Sequence, residues 1–240
     1  MPDERRWSVR LDGDDADLAD LARLMNAPEL TVVENDGALF LESTGLEHLA
    51  TSGDVLEAAR PLLDAIKGIA RLQIPLIRPI TATAVVDHRG ATTTTHQFIQ
   101  LQAIISRARV FAPTVIGGEP PEAGPPNSLG AELALDDPNV GRALELFGLE
   151  PTWVSLYQVL DVLEEDVGGE RALEDKGWAT PAEIKRFTHT ANNYRALGPA
   201  ARHARTDWEP PAKPMLLEEA ESLIGGLLER WLSEKRQRGS

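Results

Sequence analysis

The chain has 240 residues, of which 42% are hydrophobic, and a formal net charge of −14. That hydrophobic share supports a packed core and excludes wholesale disorder, while the acidic balance opposes nonspecific binding to a phosphate backbone. No cysteine is present, which excludes disulfides, thiolate metal sites and a cysteine nucleophile.

The N-terminal residues lack the apolar run of a secretory signal. Pro75, Arg78 and Pro79 interrupt the apolar run at Ile74–Ile77 before it can span a bilayer. With its Ala-, Arg- and Gly-rich usage, the chain reads as a cytosolic bacterial protein with no membrane partner.

In chain order, the alternation from Trp7 to Leu11 predicts a half-buried strand. Asp14 or Asp15 can cap a helix carrying Leu18, Leu21, Ala22 and Met25, which Pro28 ends. Leu30–Glu34 and Ala38–Glu42 predict a hairpin, with Asn35-Asp36-Gly37 supplying residues that tolerate positive φ. Asp54 can cap a longer helix with Val55, Leu56, Ala59, Leu62, Leu63, Ile66 and Ile69 on its buried face, and Pro61 inside it as a candidate kink.

Ile80–Asp87 and Thr92–Leu101 predict a second hairpin around His88-Arg89-Gly90. His88 and His96 lie one on each arm. A metal site needs three or four ligands, and Asp87 is the only carboxylate on these strands, so two solvent-facing histidines is the expected reading and no metal is assigned.

Five prolines and several glycines between 112 and 130 predict an irregular connector. The expected organisation is therefore an α+β domain at 1–116, a Pro/Gly-rich linker at 117–130 and an all-α helical domain at 131–240. The first would hold an antiparallel sheet of four or five strands with two or three helices, and the second about five helices.

In the helical part, Asp137-Pro138 is a cap followed by proline at the first helical position, and Gly148 ends that helix. A stripe of Trp153, Leu156, Tyr157, Leu160 and Leu163 is closed by Gly168-Gly169, and a short helix follows over Glu170–Lys176. Thr180-Pro-Ala-Glu183 is a capping box that starts a helix with Ile184, Phe187, Ala191 and Tyr194 on one buried stripe, ended by Gly198-Pro199. Trp208 to Pro214 must be extended. A last helix from about Leu216 to Ser233 buries Leu217, Ala220, Ile224, Leu227, Leu228 and Trp231, and Gly225-Gly226 would let a neighbour approach closely.

Charge is unevenly spread: −5 over 1–118, −12 over 119–183, +5 over 184–206 and −2 over 207–240. The positive island 184–206 contains no acid and supplies every candidate site residue: Lys185, Arg186, His189, Asn192, Asn193, Arg195, Arg202, His203 and Arg205. Helical spacing places Arg186, His189 and Asn193 on one face, opposite the apolar stripe. Such a face suits phosphate and base-edge contacts. Together with the short helix and the turn at Gly177, it resembles a helix-turn-helix in outline.

An arginine and a histidine near a helix end also resemble the R-x(4–6)-H signature of HEPN-type ribonucleases. The spacing departs from it: two residues separate Arg186 from His189, and seven separate Arg195 from His203. HEPN roles are therefore not carried onto this chain. Trp153, Gly177-Trp178-Ala179, Phe187 to Asn192 and Ala201 to Ala204 resemble a group of bacterial proteins of unassigned function, which implies no activity.

No GxSxG, Walker loop, dinucleotide-binding fingerprint or HExxH occurs, so no cofactor is assigned. Three roles compete for the island. It can dock structurally against the −12 segment before it, bind a protein partner or polyanion, or catalyse. The expected function is binding through the polar face of the helical domain. The alternative is a nucleic-acid-acting protein, a binder or a ribonuclease using Arg186, His189 and His203.

Overall fold

The computed structural model describes residues 6–27, 29–74, 79–89, 93–97, 133–134 and 136–239. The predicted connector at 117–130, the end of the second hairpin beyond Gln97, its Gly90–Thr92 turn and the Pro75–Arg78 run lie outside the described residues.

The architecture is α+β. One six-stranded antiparallel sheet has the order β2-β3-β4-β1-β5-β6. The strands are β1 (Trp7–Asp12), β2 (Asn26–Ala27), β3 (Leu30–Asn35), β4 (Ala38–Ser43), β5 (Thr81–Asp87) and β6 (Thr94–Gln97). β1 sits inside the sheet, with Val9 opposite both Leu41 and Val85. Trp7, Val9 and Leu11 enter the core while Arg10 and Asp12 stay exposed, as period-2 alternation requires. The β3–β4 turn holds Asp36 at φ 51° and Gly37 at φ 74°, the left-handed pair a two-residue hairpin needs.

The helices of this half are α1 (Asp15–Leu24) and α2 (Ser52–Gln73). Asp14 caps α1. Thr51, not Asp54, caps α2. Asp54 is the third helical residue and returns a bond to Thr51, closing a capping box. α2 stays one helix through Pro61. It buries more than the predicted stripe: Ala65, Gly68 and Ala70 are buried too.

Gly68 packs on α3 (Pro138–Gly148). Glycines make the contact close. A Cβ at Gly68 would lie 2.2 Å from the Leu144 carbonyl oxygen, and one at Gly148 would lie 1.9 Å from that of Asp64. Arg71 on α2 caps the end of α3, donating to the Phe147 carbonyl at 2.8 Å and to the Leu149 carbonyl, and it reaches Glu221 at 2.6 Å.

The remaining helices are α4 (Trp153–Val167), α5 (Glu170–Asp175), α6 (Pro181–Ala191), α7 (Tyr194–Leu197) and α8 (Leu217–Gly239). α8 buries Ala220, Ile224, Leu227, Leu228 and Trp231. Lys235 ties α3, α4 and α8 together, bonding Asp137 and Asp166 at 2.7 Å each. Asp166 also accepts from Trp231 and Asn139. One contiguous hydrophobic cluster runs from Trp7 to Leu232. Among the described residues no helix is long and apolar enough to cross a membrane.

Candidate functional site

The capping box that begins α6 is present as expected. Thr180 Oγ1 accepts from the Glu183 amide at 3.2 Å, and Glu183 Oε2 accepts from the Thr180 amide at 2.8 Å. Ile184, Phe187 and Ala191 are fully buried, and Phe187 meets the rings of Trp153 and Tyr157.

The helix then stops seven residues earlier than the Gly198 expected. It ends at Ala191, and Asn193 caps the separate turn α7 by accepting from the Ala196 amide at 2.9 Å. Two successive asparagines let side chains compete with the backbone ladder, which breaks it. Tyr194 accordingly leaves the buried stripe and is half-buried.

The polar face of α6 is covered. The extended, proline-rich stretch 208–214 lies along it as a strap held by side-chain donors. Arg186 donates to the Lys213 carbonyl at 3.0 Å and to the Pro214 carbonyl at 3.2 Å. His189 Nε2 pairs with the Glu209 carbonyl at 2.9 Å. Asn193 is fully buried and donates to the carbonyls of Trp208 and Glu209 at 3.2 and 2.9 Å. Thr190 accepts from the Met215 amide at 3.0 Å.

The island's arginines also have carboxylate partners. Arg186 grips Glu219 with both terminal nitrogens, at 3.2 and 2.7 Å. Arg195 bonds Glu209 and Arg205 bonds Asp207, at 2.6 and 2.7 Å. Arg202 lies 3.7 Å from Asp161 and stacks 4.1 Å over the Tyr157 ring. Three of these four carboxylates come from the chain after the island and only Asp161 from the −12 segment before it, because the strap folds back over α6. Lys185 is exposed and has no ion pair among the described residues.

The structure thus gathers His189, Asn193 and Arg195 on Glu209, and sets Arg202 beside His203 at 3.4 Å. His203 meets the edge of Trp208, on which Arg205 also stacks. Arg186, His189 and His203 each serve a different partner. Asn192 caps the end of α6, and its side-chain oxygen is buried with no hydrogen-bond partner.

In the second hairpin, His96 stands opposite Val85, whereas His88 Nε2 lies 2.8 Å from the hydroxyl of buried Ser8. The two histidines therefore serve different neighbours. Among the described residues, no group of three or more His, Asp or Glu is placed to hold a metal ion.

The surface left open beside the island is a groove of about 760 Å³ between α6, the turn before it and α8. Trp178, Ala179, Met215, Leu223 and Gly226 form the less polar part of its lining. Its ionisable groups are Glu174, Glu183, Arg186, Glu219 and Arg230, the last donating to the Trp178 carbonyl. The lining hydroxyls are engaged, Thr180 in the helix cap and Ser222 on the Glu218 carbonyl. Apart from Arg186, none of these residues was a candidate in the sequence. The available clue was the second glycine of Gly225-Gly226. A Cβ on Gly225 would lie 3.3 Å from the Phe147 ring, but one on Gly226 would meet nothing within 4 Å.

No protein-family model, curated protein or solved structure matches the chain.

Proposed function

We propose that this protein acts by binding a protein partner, and that the helical part makes the contact at the groove between α6 and α8. The observation that carries this reading is the groove itself. It is an open, largely apolar recess of about 760 Å³, comparable with ordinary ligand and peptide sites. Its charged groups and hydroxyls are engaged in helix caps, ion pairs or backbone contacts, with Glu174 the exception. A surface so arranged recognises shape and does not supply a nucleophile with a base beside it. The island supports the groove: Arg186 lines it while clamping the strap, and Met215 at the strap's end lines it too.

The nucleic-acid reading draws support from Lys185 and from the stacked Arg205 and Trp208. It is weakened by the four arginines that already have carboxylate partners.

The deciding experiment selects helical peptides from a phage-displayed library on the wild-type chain and measures them on Gly226→Trp. That substitution fills open space in the groove, and its fold is checked by thermal melting. The reading predicts that enriched peptides bind the variant at least about tenfold more weakly, a loss of about 1.4 kcal/mol. Failure of any peptide to enrich, or equal binding to both chains, overturns it. Salt-sensitive retention of single-stranded RNA, unchanged in Gly226→Trp and lost in Lys185→Glu, would replace it with the nucleic-acid reading.

A further inference from the structure

The groove's walls restrict what can occupy it. We infer that its partner segment is an amphipathic helix with a basic flank; this rests on the binding reading above.

The backbone comes first. One wall is α8 and the other the turn before α6 with the start of α6, which is already closed by the Thr180–Glu183 box and by Pro181, which has no amide hydrogen. Among the described residues no strand edge borders the recess, so an extended peptide would find no ladder to join. A segment entering an apolar recess must then satisfy its own main chain, and a helix does so.

The shape agrees. α8 presents Glu219, Ser222, Leu223, Gly226 and Arg230 to the groove. These share one face, beside the buried stripe of Ala220, Ile224, Leu227 and Trp231. At 1.5 Å per residue the stripe runs for about 16 Å, roughly three turns of a docked helix. Ser222 and Gly226 lie one turn apart in its middle, and the empty space over Gly226 lets a second helix reach the short end of the usual 8–10 Å packing distance. Trp178, Met215 and Leu223 offer apolar contact on either side.

Charge then selects the flank. The lining holds the carboxylates of Glu174, Glu183 and Glu219 against the guanidiniums of Arg186 and Arg230. Both guanidiniums are committed, Arg186 to Glu219 and two strap carbonyls, Arg230 to the Trp178 carbonyl. Glu174 has no ion pair among the described residues. Residues 174–183, which supply part of one wall, hold Glu174, Asp175 and Glu183 against Lys176, a net −2. A basic helix is attracted by this field and pairs with Glu174, whereas an acidic one meets like charge.

The test is fluorescence anisotropy on the full chain with three labelled peptides of about 18 residues, five helical turns. The first is a Leu/Lys amphipathic helix, the second its Leu/Glu counterpart, and the third a scrambled Leu/Lys sequence. The Leu/Lys helix is expected to bind, and to weaken at least about tenfold in both Gly226→Trp and Glu174→Lys at unchanged melting temperature. The other two peptides are expected to bind at least about tenfold more weakly than the Leu/Lys helix.

Equal binding of the scrambled peptide, or full binding to Gly226→Trp, would reduce the effect to diffuse attraction and overturn the inference. Tighter binding of the Leu/Glu helix overturns the basic flank. Self-association seen by sedimentation and abolished by Gly226→Trp would make a second copy the occupant and also overturn it. If library selection yields groove-dependent helices without basic residues, this inference fails while the binding reading stands.

Discussion

Gly148→Ala tests how the two halves of the chain are joined. A Cβ on Gly148 lands 1.9 Å from the Asp64 carbonyl oxygen and 2.9 Å from the Gly68 amide nitrogen. Ordinary contact begins at 3.4 Å, so α2 and α3 must part by the difference, about 1.5 Å. Neither obstacle is a side-chain tip that can swing aside; both are helix backbone. Separation also pulls Arg71 from the Phe147 and Leu149 carbonyls. Overpacking a core costs about 1–3 kcal/mol, and immovable neighbours place this case at the top of that range. Alanine returns at most about 1 kcal/mol of helix propensity, and less at a helix end. The net loss of about 2–3 kcal/mol corresponds to a fall in Tm of roughly 5–10 °C for a chain of this length. Gly226→Ala is the matched control, since nothing lies within 4 Å of its Cβ position. It should raise Tm by about 1–3 °C through propensity alone. Circular dichroism melts of both variants decide the matter. A Gly148→Ala protein melting within about 1 °C of wild type would refute the argument.

Asn193→Ala removes the α7 cap and leaves the Trp208 and Glu209 carbonyls short of a donor; chemical denaturation should show a loss of about 1–3 kcal/mol, with faster proteolysis in the strap. Lys235→Met leaves Asp137 and Asp166 facing each other without a cation, and should cost about 3 kcal/mol by the same measurement. Burial opposes ionisation of both acids, but Lys235 and their other hydrogen bonds outweigh it and hold each carboxyl below its ordinary value. Their contribution is therefore complete above that ordinary value and is lost as pH falls through the lowered one. Melts below pH 4 should accordingly separate Lys235→Met from wild type less than melts at pH 7 do. Glu164 behaves oppositely: burial first, then Glu170 and Asp161, push its carboxyl up from 4.5 to about 7. The folded chain holds that proton more tightly, so this group's effect on stability declines as pH rises from 4.5 through about 7. Glu164→Gln should melt higher than wild type at pH 8 and flatten that decline.

What the sequence made legible is local. Asn35-Asp36-Gly37 identified its hairpin because positive φ is a property of those residues, and Asp36 and Gly37 adopt it. The Thr180–Glu183 box and the α8 stripe are likewise written within a few residues. The seating of β1 between β4 and β5 was not legible, because register across 30 or more residues is decided by the whole core. Gly68 and Gly148 read as an ordinary helix residue and a helix terminator; only the crossing of α2 and α3 gives them another meaning. The island was visible as charge, but its partners were not. Glu209 and Glu219 become its neighbours through the fold-back of the strap, whereas Asp207 is simply two residues beyond Arg205. The groove was hidden for a related reason, since its lining is drawn from α5, the turn before α6, α6 itself, the strap's end and α8.

The same geometry explains why a chain of net charge −14 keeps one stretch free of acid. Pro210, Pro211 and Pro214 have no amide hydrogens, so the strap offers carbonyl oxygens and few donors. Only donors can hold such a segment, and Arg186, His189 and Asn193 point donors at four of its carbonyls. A carboxylate on that face would meet carbonyl dipoles and find little to accept. The positive island is thus what a proline-rich strap requires of the helix beneath it. Its link to the groove runs through the end of that strap. Arg186 fixes Lys213 and Pro214, Thr190 fixes Met215, and Glu219 accepts from both Arg186 and the Leu216 amide. Arg186, Met215 and Glu219 all line the groove. Loosening the strap therefore moves a groove wall, which the island holds in place.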